Sequence, residues 1–157
     1  MLLSEIFSPK CIKVGLDAED KEEVFEELVD LYCQVTHSKA RDELLEAVRR
    51  REAKMSTGIQ QGIAIPHGKI NSIGEISGIL GVSKKGIDYE ALDGKPVYLV
   101  FMLIIPETDA ESHLRVLKAL AELLDNPQFY TELLAQNDAQ SAYEIIRKYE
   151  DILASIT

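Results

Sequence analysis

The chain has 157 residues, 46% hydrophobic and 28% charged, which is the size and composition of one folded globular domain spanning residues 1–157. A formal net charge of −10 excludes a nucleic-acid binder, which needs clustered Lys and Arg to displace counterions from phosphates, and suits a basic protein partner better. No run approaches the roughly 20 apolar residues of a membrane helix, and the first ten residues, with Glu5 among them, lack the basic start and apolar core of a signal peptide, so a cytoplasmic protein is expected.

Residues 22–35 place Phe25, Leu28, Val29, Leu31, Tyr32 and Val35 at helical spacing with acids opposite, predicting an amphipathic helix. Ser38 is a candidate cap for a second helix running to Glu52. Its apolar stripe is Leu44, Leu45 and Val48, and Arg49, Arg50 and Arg51 in the last turns complement the dipole. From residue 57 to 68 the pattern becomes Gly-rich around a short apolar run, 62–65, that ends at Pro66, which predicts a strand followed by a loop.

Residues 76–82 and 97–105 read as further strands, the second apolar on both faces as a central strand covered by helices would be. Asp93-Gly94 supplies a turn between them. Thr108 with Glu111 has the form of a capping box opening a helix to Leu124, and helical pieces follow over 128–134 and 141–153. Helices at both ends and strands in the middle predict an α/β fold, a single mixed β-sheet flanked by helices on both faces.

Several chemistries are absent from the motifs. Gly62 and Gly68-Lys69 are separated by five residues and followed by Ile70, which is not a P-loop, and there is no GxGxxG, HExxH or GxSxG. His37, His67 and His113 are too scattered for a metal site, and Cys11 and Cys33, far apart and outside any CxxC, read as ordinary buried thiols. His67 is the most suggestive reactive side chain: it follows Pro66 at a strand end and precedes Gly68, where backbone can approach a bulky anion. From the residues alone it is either functional or a loop histidine bonded for structure. His37, between two helices, reads as a loop or capping residue.

The block STGIQQGIAIPHGK, residues 56–69, closely resembles the active-site segment of the enzyme IIA domains of the phosphoenolpyruvate-dependent phosphotransferase system, fructose/mannitol class. That resemblance implies that His67 is the phosphorylated residue, that Arg51 of the Arg51-Glu52 pair is the family's arginine near the phosphoryl group, and that His113 in ESHLRVLKAL is the second active-site histidine. The stretch IDYEALDGKPVYLVFMLIIP resembles the family's strand, turn and central strand, so the resemblance covers most of the chain. Without it, Arg51 would be a solvated helix terminus and His113, on a stripe with Leu117, Leu120, Ala121 and Leu124, a core-edge histidine. Thr57, Gly58 and Gly68 are candidate support for the phosphoryl oxygens, although turn residues need no such role.

The resemblance implies a phosphoryl carrier without cofactor, metal or nucleotide, taking the group from the phosphocarrier HPr and passing it to a IIB component of a sugar permease. A nitrogen-regulatory IIA protein that signals by its phosphorylation state, and a non-catalytic interaction module of the same fold, are the alternatives. A neutral imidazole can both accept and surrender a phosphoryl group, and an ordinary histidine pKa near about 6.5 already leaves His67 unprotonated at neutral pH. His113, in the second turn of its helix, is expected to have a lowered pKa from the positive end of the dipole.

Overall fold

A computed structural model describes residues 2–156. The chain opens with a short helix α1 (Leu3–Ile6), a 3-10 turn (Pro9–Cys11) and strand β1 (Ile12–Val14), none of which carries enough periodicity to be read in sequence. Two long helices follow, α2 (Lys21–Thr36) and α3 (Arg41–Lys54). Asp20 caps α2 by accepting from the Glu23 amide at 2.9 Å, and His37 ends it with a left-handed φ of 59°, the capping alternative expected for it. Ser38 does not cap α3. The helix starts later, with Ala40 at the N-cap position, because the Ser38 hydroxyl closes a local turn by accepting from the Ala40 amide at 3.1 Å.

Strands β2 (Gly58–Gln60), β3 (Ile63–Ala64), β4 (His67–Ile70), β5 (Ser77–Ile87) and β6 (Val97–Pro106) come next, then helices α4 (Ala110–Leu124), α5 (Pro127–Leu134) and α6 (Ala139–Ile156). Thr108 is not the cap of α4: Asp109, one residue on, accepts from the Ser112 amide at 3.1 Å. The last two helices each start slightly earlier than expected, because Asn126 caps α5 ahead of Pro127 and the Asp138 carboxylate takes the Ser141 amide at 2.8 Å.

The six strands form one mixed sheet in the order β1-β5-β6-β3-β2, with β4 also on β6. Strand β5 runs antiparallel to β6, joined to it through the expected Asp93-Gly94 turn, where Gly94 has φ 72°. On its other edge β6 pairs in parallel with β3 (Ile63 opposite Leu99) and then with β4 (His67 opposite Leu103). These two are halves of one edge broken at Ile65-Pro66, because proline has no N–H to give a ladder. The loop expected after Pro66 is therefore a strand. His-Gly-Lys-Ile has little strand propensity of its own, and the ladder of β6 supplies what the sequence lacks.

Alternation along β6 divides the core. Val100, Met102 and Ile104 pack with α2 and α3 on one face, while Leu99, Phe101, Leu103 and Ile105 pack with α1, α4, α5 and α6 on the other. The central strand is thus covered on both faces, as its unbroken apolar run implied. Gly68 fixes how closely α3 approaches β4. A β-carbon there would lie 2.9 Å from both Ala47 Cβ and the Val48 amide nitrogen, so the helix backbone itself would have to move. We expect Gly68→Ala to destabilise the fold by about 1–3 kcal/mol, read as a lower urea midpoint at unchanged slope. An unchanged midpoint would mean that α3 yields freely.

Candidate functional site

The break between β3 and β4 positions His67. Its Nδ1 lies 3.1 Å from the Ile65 carbonyl oxygen, and a carbonyl can only accept, so Nδ1 carries the proton and Nε2 holds the free lone pair. The ring is half-buried. Burial pushes its pKa below the ordinary value, the bond to Ile65 opposes that shift, and the charges of Arg51 and Lys69 add to it. His67 is therefore a neutral imidazole with a defined nucleophilic nitrogen at neutral pH.

His113, brought in by the first turns of α4, has its ring centroid 4.9 Å from that of His67. Its Nε2 is shielded from solvent and has no hydrogen-bond partner among the described residues. Burial first, then the charges of His67, Lys69 and Arg51, push its pKa down to about 4. The lowered value expected for His113 is present, and its leading cause is desolvation, with neighbouring charged groups next.

Arg51 reaches the same cavity from the last turn of α3. Arg41, Arg49, Arg50 and Arg115 each pair with a carboxylate. No ion pair engages Arg51 among the described residues, and its Nη1 donates to the Met55 carbonyl at 2.8 Å. The open cavity, about 560 Å³, is lined by Ala47, His67, Gly68, His113, Arg51, Arg50, Lys54 and Lys69, with one acid, Glu107, among them. An overall acidic chain thus presents a locally cationic hollow around two neutral imidazoles, an arrangement suited to an anion that must contact Nε2.

The structure brings together four of the six candidate residues, His67, His113, Arg51 and Gly68. Thr57 and Gly58 do not line the cavity. Thr57 is buried, its amide donating to Glu52 Oε2 at 2.8 Å and its hydroxyl to Glu52 Oε1 at 2.5 Å. The Gly58 amide donates to Ser56 Oγ at 3.1 Å, and a β-carbon at Gly58 would meet Ala91 Cβ and the Tyr89 ring at 2.8 Å. Lys54 and Lys69 were missed by sequence reasoning; their signal is spacing, Lys54 one helical turn after Arg50 and Lys69 two strand residues after His67. Cys11 is buried and Cys33 half-buried, both free thiols whose pKa burial raises.

The two lowered histidine pKa values make stability depend on pH. Between about 4, where folded His113 titrates, and about 6.5, where an unfolded histidine does, the unfolded chain binds more protons, so stability rises with pH. It is fully present above that window and lost as pH falls through it. We expect urea midpoints to drop from pH 7 to pH 5 and His113→Gln to flatten that drop. Equal pH dependence in both proteins would count against a neutral, desolvated His113.

Residues 5–149 match the family model described as phosphoenolpyruvate-dependent sugar phosphotransferase system, EIIA 2. The chain is 35% identical over 150 residues to the fructose-specific EIIABC component of Bacillus subtilis, covering 96% of this chain but only 24% of that longer protein. The nitrogen regulatory protein IIA-Ntr of Neisseria meningitidis superposes with a TM-score of 0.84 at 30% identity, covering 92% of this chain and 98% of that one. The fold also matches the IIAMTL–phosphorylated IIBMTL complex of Escherichia coli, with a TM-score of 0.75 at 17% identity over 90% of this chain and 97% of that one. Among the described residues no helix is long and apolar enough to cross a membrane. The match of residues 5–149 to the family model, on a single mixed sheet, makes this chain a member of the phosphotransferase-system EIIA type 2 family.

Proposed function

We propose that this chain is a phosphoryl carrier that accepts the group on His67 Nε2 from an HPr-like phosphocarrier and passes it to a IIB component serving fructose/mannitol-type sugar uptake. The observation that carries the proposal is the Nδ1 contact to the Ile65 carbonyl, which leaves Nε2 as the nucleophile facing a cationic cavity. As the Nε2–P bond forms, the bond from phosphorus to the donor breaks and its electron pair leaves with the donor. His67 keeps its Nδ1 proton on Ile65, so the phosphorylated ring is positively charged and remains a good leaving group for the next transfer. Transfer of this kind needs in-line positioning and charge stabilisation more than covalent help. Arg51 supplies the charge, its remaining N–H donors unpaired by any carboxylate among the described residues. His113 supplies a neutral hydrogen-bond donor.

The likeness to a nitrogen regulatory protein over nearly its whole length supports a second reading, in which the phosphorylation state itself is the output. Reconstitution separates the two. Phosphoenolpyruvate, enzyme I and HPr should load one acid-labile phosphoryl group, and a fructose/mannitol-type IIB domain should then discharge it. Loading without discharge to any such IIB would favour the signalling reading, and failure to load would remove both.

A further inference from the structure

The buried carboxylate of Glu52 has no part in the transfer described above, yet it is the most heavily bonded side chain near the site. Glu52 is a helical neighbour of Arg51 but points away from the cavity, and its side chain is only 4% exposed. Oε1 accepts from the Thr57 hydroxyl at 2.5 Å and from the Tyr89 hydroxyl at 3.3 Å; Oε2 accepts from the Thr57 amide at 2.8 Å and pairs with Lys21 Nζ at 3.3 Å. The Thr57 and Tyr89 hydroxyls also contact each other at 2.8 Å, and Lys21 sits over the Tyr89 ring. A buried charge so fully partnered holds its partners in one arrangement, and its loss would leave several buried polar groups unpaired.

What those bonds hold is the turn from Met55 to Thr57, which leaves α3 and enters β2. The turn is closed at one end by Thr57 on Glu52, and the Met55 carbonyl in it accepts from Arg51 Nη1. Arg51 thus has its guanidinium oriented by a backbone oxygen whose position depends on the carboxylate next to it in sequence. Both carboxylate oxygens of Glu52 are engaged by Thr57, Tyr89 and Lys21, and among the described residues Glu52 makes no ion pair with Arg51.

We propose that Glu52 is a positioning residue for phosphoryl transfer: through Thr57 it fixes the Met55–Thr57 turn and so holds Arg51 aimed, and unneutralised, at the His67 cavity. This rests on the reading that His67 receives the phosphoryl group. Glu52 touches neither the donor nor the reacting atoms, so apart from its charge, which raises the His67 pKa, its effect runs through Arg51. Removing it should lower the transfer rate without weakening docking of the donor, and the loss should vanish when Arg51 is already absent.

The test is a double-mutant cycle in single-turnover transfer from phospho-HPr, with Glu52→Ala, Arg51→Ala and the pair. Glu52→Ala should slow transfer on the order of tenfold to a hundredfold at unchanged KM for the donor, and the double variant should be no slower than Arg51→Ala. Independent, multiplying effects would overturn the proposal. If Glu52→Ala does not fold, Thr57→Val and Glu52→Gln take its place, with the Arg51 Nε–Hε resonance in the ¹H–¹⁵N spectrum as a readout free of activity. That resonance should shift in both variants, while a purely structural role lowers thermal stability and leaves it in place. Wild-type protein that fails to load at His67 would overturn the transfer reading, whereas normal loading with unchanged rates and resonances would overturn only the role of Glu52.

Discussion

Replacing His67 by glutamine is expected to abolish uptake of an acid-labile phosphoryl group from the phosphoenolpyruvate, enzyme I and HPr relay, with an unchanged circular dichroism spectrum. Glutamine retains a polar side chain at the start of β4 but has no ring nitrogen with a free lone pair. The competing acceptor, His113, is also neutral at pH 7, so charge does not decide between the two histidines. Access does. His113 Nε2 is shielded from solvent, so an incoming phosphorus cannot reach that nitrogen in line, whereas the Nδ1 proton of His67 leaves its Nε2 with the free lone pair on a residue that lines the cavity. Nitrogen-15 spectra of the loaded wild-type protein should place phosphorus on His67 Nε2. Phosphate on His113 or His37, or loading of His67→Gln, would move the site.

His113→Ala should slow transfer on the order of 10²–10³-fold, the cost of about 2.7–4 kcal/mol that follows loss of one donor aimed at developing charge. The argument is electrostatic. With its pKa pushed down to about 4, His113 is uncharged at neutral pH and donates one N–H without adding a mobile proton beside the phosphoryl group. His113→Gln keeps a donor of similar reach and should recover part of the rate. Because both histidines titrate below their ordinary range, the wild-type rate should be flat above about pH 6.5 and fall only on acidification. Unchanged rates in His113→Ala would return this residue to a packing role at the edge of the core.

Much of this molecule was legible in sequence where pattern and physics coincide. Helices α2 and α3 announced themselves through apolar periodicity, and β6 through an apolar run too long for anything but a strand covered on both faces. Pro66-His67-Gly68 by itself left His67 either functional or a loop histidine bonded for structure, and the resemblance of residues 56–69 to the EIIA active-site segment singled it out. Other features depend on partners distant in sequence. His67–Ile70 is a strand only because Leu103 to Pro106 offer it a ladder. Ser38 and Thr108 lost their capping roles to local competition: Ser38 bonds within its own turn, and Asp109 stands one residue closer to the start of its helix. Thr57 was a fair candidate for a phosphate ligand until folding engaged it on Glu52, a bond that joins a helix end to a strand start. A buried glutamate is hard to foresee, since an acid at an exposed-looking helix end is solvated by default.

The acceptor that selects the His67 tautomer belongs to the main chain. Substituting the side chain at position 65 leaves that oxygen in place, so a mutational scan of single residues would pick out the histidines and the arginine and pass over it. Its inheritance lies in the path of the chain between Ala64 and His67, and Pro66 is the residue that keeps that path. Relatives could drift widely at position 65 and still bind the same proton on the same nitrogen.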